Sequence, residues 1–295
     1  MTTIKDMVAE TRRMAYGSMS EQLNLIGAAA AAGATSIVLD MDVTGITPGM
    51  LLSTGLNVFY VRGTEPSTKT VFVIPGIDNA PTAAVAVNDF VYIKPKVTDW
   101  YLFELINTEI IRLSSPENGL YRIDSWTVDV DATYQTYEIP TADAASLIGV
   151  LRVRYRMPGT TDVWIDVSAK SYTVQMNDGV SRIRLLRNIP SGTEINFQYK
   201  ASFVRGTSLS DNAATVCGLS DTMMDIPALG ALGTLMRTTE SRRNQVQQQG
   251  DARTAAEVSS GRNLTSGQIS DRDYKTRVQE EYIRLVQRVP IMRSI

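Results

Sequence analysis

Apolar and polar positions change their rhythm twice along this chain. Ile4, Met7, Val8 and Ala15 fall near helical spacing, with Arg12 and Arg13 off that stripe, which predicts a helix over 3–16 and a second short one near 20–26. From Thr35 the pattern becomes alternation rich in β-branched residues, predicting strands at 36–40, 57–62, 70–74 and 89–93. Thr47-Pro-Gly-Met50 carries Pro and Gly where a type II turn requires them. Four or five such strands suggest a small barrel or half-barrel. Asp99 is placed to cap a helix whose apolar positions 102, 103, 106, 110 and 113 make one broad face.

Strands are predicted again at 120–123, 125–130, 134–139, 147–156, 162–167, 172–176, 182–186 and 194–203, several alternating strictly, as in Leu151-Arg-Val-Arg-Tyr-Arg156. Alternation of this kind describes half-buried antiparallel sheet, and seven or eight such strands point to a sandwich or jelly roll. Beyond Gly218 the period returns to that of a helix. Asp225-Ile-Pro227 opens one in which Leu229, Leu232, Leu235 and Met236 continue a stripe to about 247. Ser259-Ser-Gly261 and Ser266-Gly267 mark a loop, and Ser270-x-x-Asp273 resembles a capping box for a last helix lined by Tyr274, Val278, Tyr282, Leu285 and Val289 up to Pro290.

The whole reads as an α+β chain, mainly β. Its parts are N-terminal helices (1–33), a small barrel-like β unit (34–97), a helix (98–116), an antiparallel β-sandwich (117–206) and a C-terminal helical hairpin or tail (207–295), taken as a docking segment. A helix with one apolar stripe must bury it, and the tail is Arg- and Gln-rich and poor in aromatics. Its stripe is therefore expected to pack against copies of the chain or a neighbouring ring.

Composition turns the reading further from chemistry. The 295 residues contain no histidine, the commonest general base and metal ligand near neutral pH, and one cysteine, Cys217, which excludes an intramolecular disulfide and a cysteine metal cluster. A reducing cytoplasm is the expected place of assembly. With 29 basic and 31 acidic residues the chain has no global basic field for sequence-independent binding to nucleic acid. Asp6 and Glu10 stand where a signal peptide would need an apolar core, and no run reaches membrane-span length, so neither a leader nor a membrane partner is expected.

Each motif has a plain reading beside its functional one. Gly230-Ala-Leu-Gly233 lacks the Gly-Lys-Ser/Thr of a phosphate loop, and small residues there let another backbone approach. Asp129-Val-Asp131 near Asp124 matches no calcium loop and reads as solvated strand-end carboxylates. Cys217 has no histidine to activate it and reads as a small buried hydrophobe. Trp126, Trp164 and Tyr155 could form a sugar-binding platform, but alternation places such residues in a core. Arg237, Arg242, Arg243 and Arg253 could grip carboxylates of an adjoining subunit or DNA phosphates, or simply cover a solvated helix face.

Several segments in this order resemble the neck proteins of tailed bacteriophages, in particular the head-to-tail connector or adaptor subunits of siphophages that infect actinobacteria. They are Leu105-Ile-Asn-Thr-Glu-Ile-Ile-Arg-Leu113 after a small β unit, Tyr137-Glu-Ile-Pro140, Gly218-Leu-Ser-Asp221, Asp225-Ile-Pro-Ala-Leu-Gly-Ala231, Arg242-Arg-Asn244, Gln249-Gly-Asp-Ala-Arg253 with Ala256-Glu-Val258, and Glu280-Glu-Tyr-Ile-Arg-Leu285 before Pro290. The loop at 79–87 departs from the family in lacking its His. The resemblance implies a non-enzymatic virion protein without cofactors, located at the head-tail junction. It implies a homo-oligomer, a dodecameric ring beneath the portal protein, with further neck or tail-terminator proteins as partners and DNA passing unread through the lumen. Leu229, Leu232, Met236, Tyr274, Val278 and Tyr282 would then supply apolar interface, and the four arginines its register. The rival expectation is a receptor-binding or baseplate-like tail protein whose sandwich binds a surface sugar. A glycosidase with paired carboxylates is the remaining one, and no feature places two carboxylates in one cleft.

Overall fold

A computed structural model of the chain describes residues 2–16, 22–130, 135–139, 147–157, 159–160, 163–177, 180–186, 189, 192–248 and 262–288. The described residues form a mixed α+β fold with four α-helices, α1 (Ile4–Tyr16), α2 (Asp99–Leu113), α3 (Ile226–Gln248) and α4 (Arg262–Arg288), and thirteen strands. The chain divides into two compact units, residues 1–110 with 205–280 and residues 111–204 with 281–295. The segment carrying α3 and most of α4 therefore folds with the N-terminal part rather than standing apart from it.

In the first unit six strands close a barrel: β1 (Gln22–Ala28), β2 (Ser36–Leu39), β3 (Leu51–Thr54), β4 (Asn57–Glu65), β5 (Thr70–Pro75) and β6 (Phe90–Ile93), in the order β1-β2-β5-β4-β3-β6, with β1 and β6 completing the circle. Alternation puts Ile37, Leu39, Leu52, Phe59, Val61, Val71, Val73 and Val91 inside, where they form one core with Ile26, Val43, Ile46 and Val85. The turn before β3 is as expected, with Gly49 at φ 93° and the Met50 amide bonded to the Thr47 carbonyl at 3.2 Å.

The expected second helix near 20–26 is instead β1. This segment pairs with β6 from Gln22↔Ile93 to Leu25↔Phe90 and with β2 across a bulge, so it is the stave without which the barrel would stay open. Gly27 sits at that bulge, where a Cβ would lie 3.0 Å from the Leu39 carbonyl, so the close approach of β2 requires glycine.

Four sets of contacts hold the helices of this unit, three of them from distant sequence. Thr3 and Asp6 make a reciprocal capping box at the start of α1, Asp6 accepting from the Thr3 amide at 2.8 Å and Thr3 Oγ1 accepting from the Asp6 amide at 3.2 Å. The next amides, of Ile4 and Lys5, donate to the carbonyls of Asp211 and Leu209, which satisfies helix-end groups with a loop two hundred residues away. Asn107 of α2, fully buried, bonds both backbone groups of Gly206. Arg12 of α1 reaches Asp99 at 2.5 Å and the Val97 carbonyl at 3.0 Å. Asp99 is thus a partner for Arg12 rather than the cap of α2; the cap is Thr98, whose hydroxyl accepts from the Tyr101 amide.

The described residues of the second unit form seven antiparallel strands in two sheets. One has the order β10-β9-β13-β7, built from β7 (Arg122–Asp129), β9 (Leu147–Arg156), β10 (Trp164–Val167) and β13 (Glu194–Ala201). The other has the order β11-β12-β8, built from β8 (Thr136–Glu138), β11 (Tyr172–Asn177) and β12 (Val180–Leu185). Val153, Ile195, Phe197 and Tyr199 of the first sheet and Tyr137, Ile183 and Leu185 of the second belong to one apolar core.

Candidate assembly surface

The described residues among those expected to dock on a neighbour lie on α3 and α4, and Leu232, Tyr274, Val278 and Arg237 are already engaged within the chain. In the first unit α1 packs on α3, and Ile226, Ala228, Ala231, Leu232 and Leu235 of α3 are buried. Leu229 and Met236 are half-buried. On α4, Tyr274 and Val278 are buried in line with Gly267 and Ser270, a spacing near the 3.5-residue repeat of a packed helix seam. The apolar stripe of each helix therefore finds its cover within the chain. Tyr282, in the part of α4 assigned to the second unit, is 41% exposed and lies against Gly119.

Glycines set the approach of α3 and α4. A Cβ on Gly233 would lie 2.5 Å from Asp271 Oδ1, and one on Gly267 would lie 3.4 Å from the Gly233 carbonyl oxygen and from Met236 Cβ, so the backbones meet where neither helix has a side chain. Gly230 receives a different neighbour, the buried side chain of Glu109 from α2, 2.6 Å from where its Cβ would be. The packing role read from Gly230-Ala-Leu-Gly233 thus divides between two helices.

The same contact corrects the boundary of the last helix. Ser266 and Gly267 are helical, and α4 begins at Arg262; Ser270 lies inside it, donating to the Ser266 carbonyl at 3.0 Å rather than capping a start. Small residues that read locally as a loop are here the contact stripe of a helix.

Two arginines lock the pair. Arg237 of α3 bonds Asp271 of α4 at 2.5 Å, both about a third to a half exposed, a geometry worth up to about 1 kcal/mol. Arg277 of α4 grips Asp225, just before α3, through Nε at 2.8 Å and Nη2 at 3.1 Å, bonds the Thr222 carbonyl at 2.8 Å, and reaches Glu280 at 2.5 Å. These acceptors raise its affinity for the proton, the Asp225 bond foremost. Arg277 escaped the sequence reading because Asp225 lies 52 positions away. Arg242 and Arg243 lie in the last turns of α3, with side chains outside the described ones, and Arg253 lies outside the described residues.

A cleft of about 1120 Å³ opens in the same unit between α1, the β3–β4 turn, the loop leading into β6 and residues 207–210. Two of its cations are engaged within the chain: Arg12 binds Asp99 and stacks 4.7 Å from the Tyr92 ring centroid, and Lys96 stands 5.4 Å from that of Tyr16. Cys217 is wholly buried, and burial, with Asp211 nearby, pushes its thiol up to about 11, so it packs as a hydrophobe. Among the described residues no group of three or more Cys, Asp or Glu could hold a metal ion, and no helix is long and apolar enough to cross a membrane. Asp131, one of the carboxylates weighed for calcium, lies outside the described residues.

The aromatics weighed as a sugar platform are engaged in the second unit. Trp126 stacks on the core residue Phe197 with centroids 5.4 Å apart, and Tyr155 packs against the same core. Trp164 carries the guanidinium groups of Arg154 and Arg156 at 5.0 and 5.3 Å from its ring centroid. Compared with known proteins, the chain matches no family, and no curated protein matches it.

Proposed function

We propose that this chain is a structural virion protein, a subunit of a head-to-tail connector or adaptor ring that joins the portal to the tail, with DNA passing through the ring without being read. The observation that carries the reading is the pre-formed α3–α4 pair, closed at Gly233 and Gly267 and fastened by Arg237–Asp271 and Arg277–Asp225. A helical pair that is already formed docks without first being ordered, so its contact energy is not spent on its own folding. The order of sequence segments, which resembles that of neck proteins, supports the same conclusion.

In this reading the two sheets of the second unit are the layers of one antiparallel sandwich, which their common core supports. The helices α3 and α4 are a helical hairpin. The docking surface is the outward side of α4, where Leu264 and Ile269 are 44% and 56% exposed, rather than the Tyr274–Val278 stripe. The sugar-binding alternative has less to stand on, because Trp126 and Trp164 are stacked against Phe197 and two arginines.

Immunogold electron microscopy with antibody to this chain, on intact virions and on particles broken at the neck, tests the proposal. Label confined to the head-tail junction is expected. Label at the tail tip, or on no virion, overturns it. Truncation at Gly218 is not a clean substitute, since it also strips α3 from the face of α1 that it covers.

A further inference from the structure

The two sheets of the second unit have four edges, and three of them are guarded in the usual ways. Strand β7 carries Arg122, Asp124 and Asp129, β10 is four residues long with Asp166, and β8 is three residues long with Glu138. Charge and shortness are what keep sheet edges from pairing with other chains. Strand β11, Tyr172-Thr-Val-Gln-Met-Asn177, has neither. It holds no charge and no proline, and it runs in unbroken register with β12 from Tyr172↔Leu185 to Asn177↔Val180, so no bulge turns it aside.

Its free side can be read from the ladder. The Leu186 amide bonds the Ser171 carbonyl, which makes 171↔186 a hydrogen-bonded pair and, by alternation, directs the backbone groups of Thr173 and Gln175 to β12. Those of Tyr172, Val174 and Met176 point outward, and among the described residues nothing bonds to them there. Val174 is 38% exposed although its cross-strand partner Ile183 is fully buried, so the edge leaves apolar surface as well as backbone groups uncovered.

We propose that β11 pairs with β11 of a second copy of this chain, antiparallel about a two-fold axis at Val174. The occupant follows from the strand itself. In this register Val174 faces Val174 of the second copy and Tyr172 faces Met176, and each outward N–H meets an outward C=O, because facing residues of such pairs exchange both bonds. Thr173 faces Gln175 on the solvent side. Self-pairing of β11 sets no charges against one another, because the strand carries none. The sheet would continue through both copies in the order β8-β12-β11-β11-β12-β8. An isologous contact joins two chains and stops, so it adds to whatever contact closes a ring and does not depend on the connector reading.

Sedimentation of the full chain tests it. The mass should rise with concentration from 32.4 kDa toward twice that value, with a midpoint of about 10–100 µM, as suits a contact below standard interface size. Thr173 and Gln175 are exposed, and a T173E/Q175E chain, whose acids stand opposite Arg184 and Arg182, should keep the fold; a T173K/Q175K chain sets lysines opposite the same arginines, so its urea midpoint is compared with that of wild type beside the association measurement. Each alone should lose self-association at least about tenfold, and a mixture of the two should regain it as a one-to-one pair. A wild-type chain that stays at 32.4 kDa up to about 300 µM overturns the proposal. So does association that survives in either variant, or a mixture that fails to pair.

Discussion

Asn107 treats Gly206 as a strand treats its neighbour: its Nδ2 donates to the Gly206 carbonyl at 3.2 Å, and its Oδ1 accepts from the Gly206 amide at 2.8 Å. The residue is fully buried, and a Cβ on Gly206 would lie 1.9 Å from Ile4 Cδ1, so α2, α1 and the segment after β13 meet at one point. Replacing Asn107 by Ala leaves an amide and a carbonyl buried without partners. The expected loss is about 2–4 kcal/mol by urea denaturation followed at the first unit. Asn107→Asp keeps the acceptor but cannot donate, and should also destabilise.

The glycine crossing of α3 and α4 makes a sharper prediction because the chain carries its own control. Gly233→Ala places a methyl against Asp271, and Gly267→Ala places one within 3.4 Å of the Gly233 carbonyl oxygen. Each should cost about 1–3 kcal/mol, Gly233→Ala the more, although alanine favours a helix intrinsically. Gly45 has open space around its Cβ position and no positive φ, so Gly45→Ala should be neutral or stabilising by up to about 1 kcal/mol. Thermal denaturation of the three variants together separates crowding from a general effect of losing glycine.

These residues show where sequence reading stops. Alternation made β2, β4, β5, β6 and β9 legible with near-correct bounds, because a half-buried strand writes its burial into every second residue. The helix over Ile4–Tyr16 was legible for the same reason at period 3.6. Strand β1 was not: its exposed Leu23 and buried Asn24 invert the rule, and only pairing with β2 and β6 makes it a strand. Gly267 and Ser270 announced a loop and a cap because small residues do so locally; the partner of Gly267, Gly233, is 34 positions away and was itself noted only as a place where a backbone could come close. The candidate surface was legible only in part, for a related reason. Tyr274 and Val278 were seen as an unpaired stripe since no sequence pattern tells a helix which neighbour will cover it. One signal was present: Gly233 and Gly267 stand on the stripes of consecutive helices, which is where two backbones can meet.

The capping box at Thr3 and Asp6 has a pH signature. Bonds from the Thr3 amide, then the Thr3 hydroxyl, hold the Asp6 carboxyl below its usual 3.8. A depressed acid contributes stability above its unfolded-state value and loses it as pH falls through the folded one. The stability gap between wild type and Asp6→Asn should therefore be full at pH 6, shrink below about pH 4 and vanish in stronger acid. Thr3→Ala should cost about 0.5–2 kcal/mol at neutral pH. A gap that stays constant across a pH series of urea midpoints would mean that the cap does not form.

Cys217 titrates with the opposite sign. Burial, helped by the charge of Asp211, raises the thiol from 9.0 to about 11, so between those values the unfolded chain releases a proton that the folded chain keeps. Stability should fall as pH rises through that window, and Cys217→Ala, which cannot ionise in either state, should fall less steeply. The thiol itself reports on the first unit. In native protein at pH 8 its reaction with a thiol reagent should be slower than in urea by at least about 100-fold, since the reactive thiolate forms only when the site opens. Fast labelling of the native chain would show that Cys217 is accessible, and would return it to consideration as a reactive group. Slow labelling whose rate tracks the denaturation midpoints of Asn107→Ala and Gly233→Ala would tie α1, α2, α3 and the loop around Asp211 into one cooperative unit.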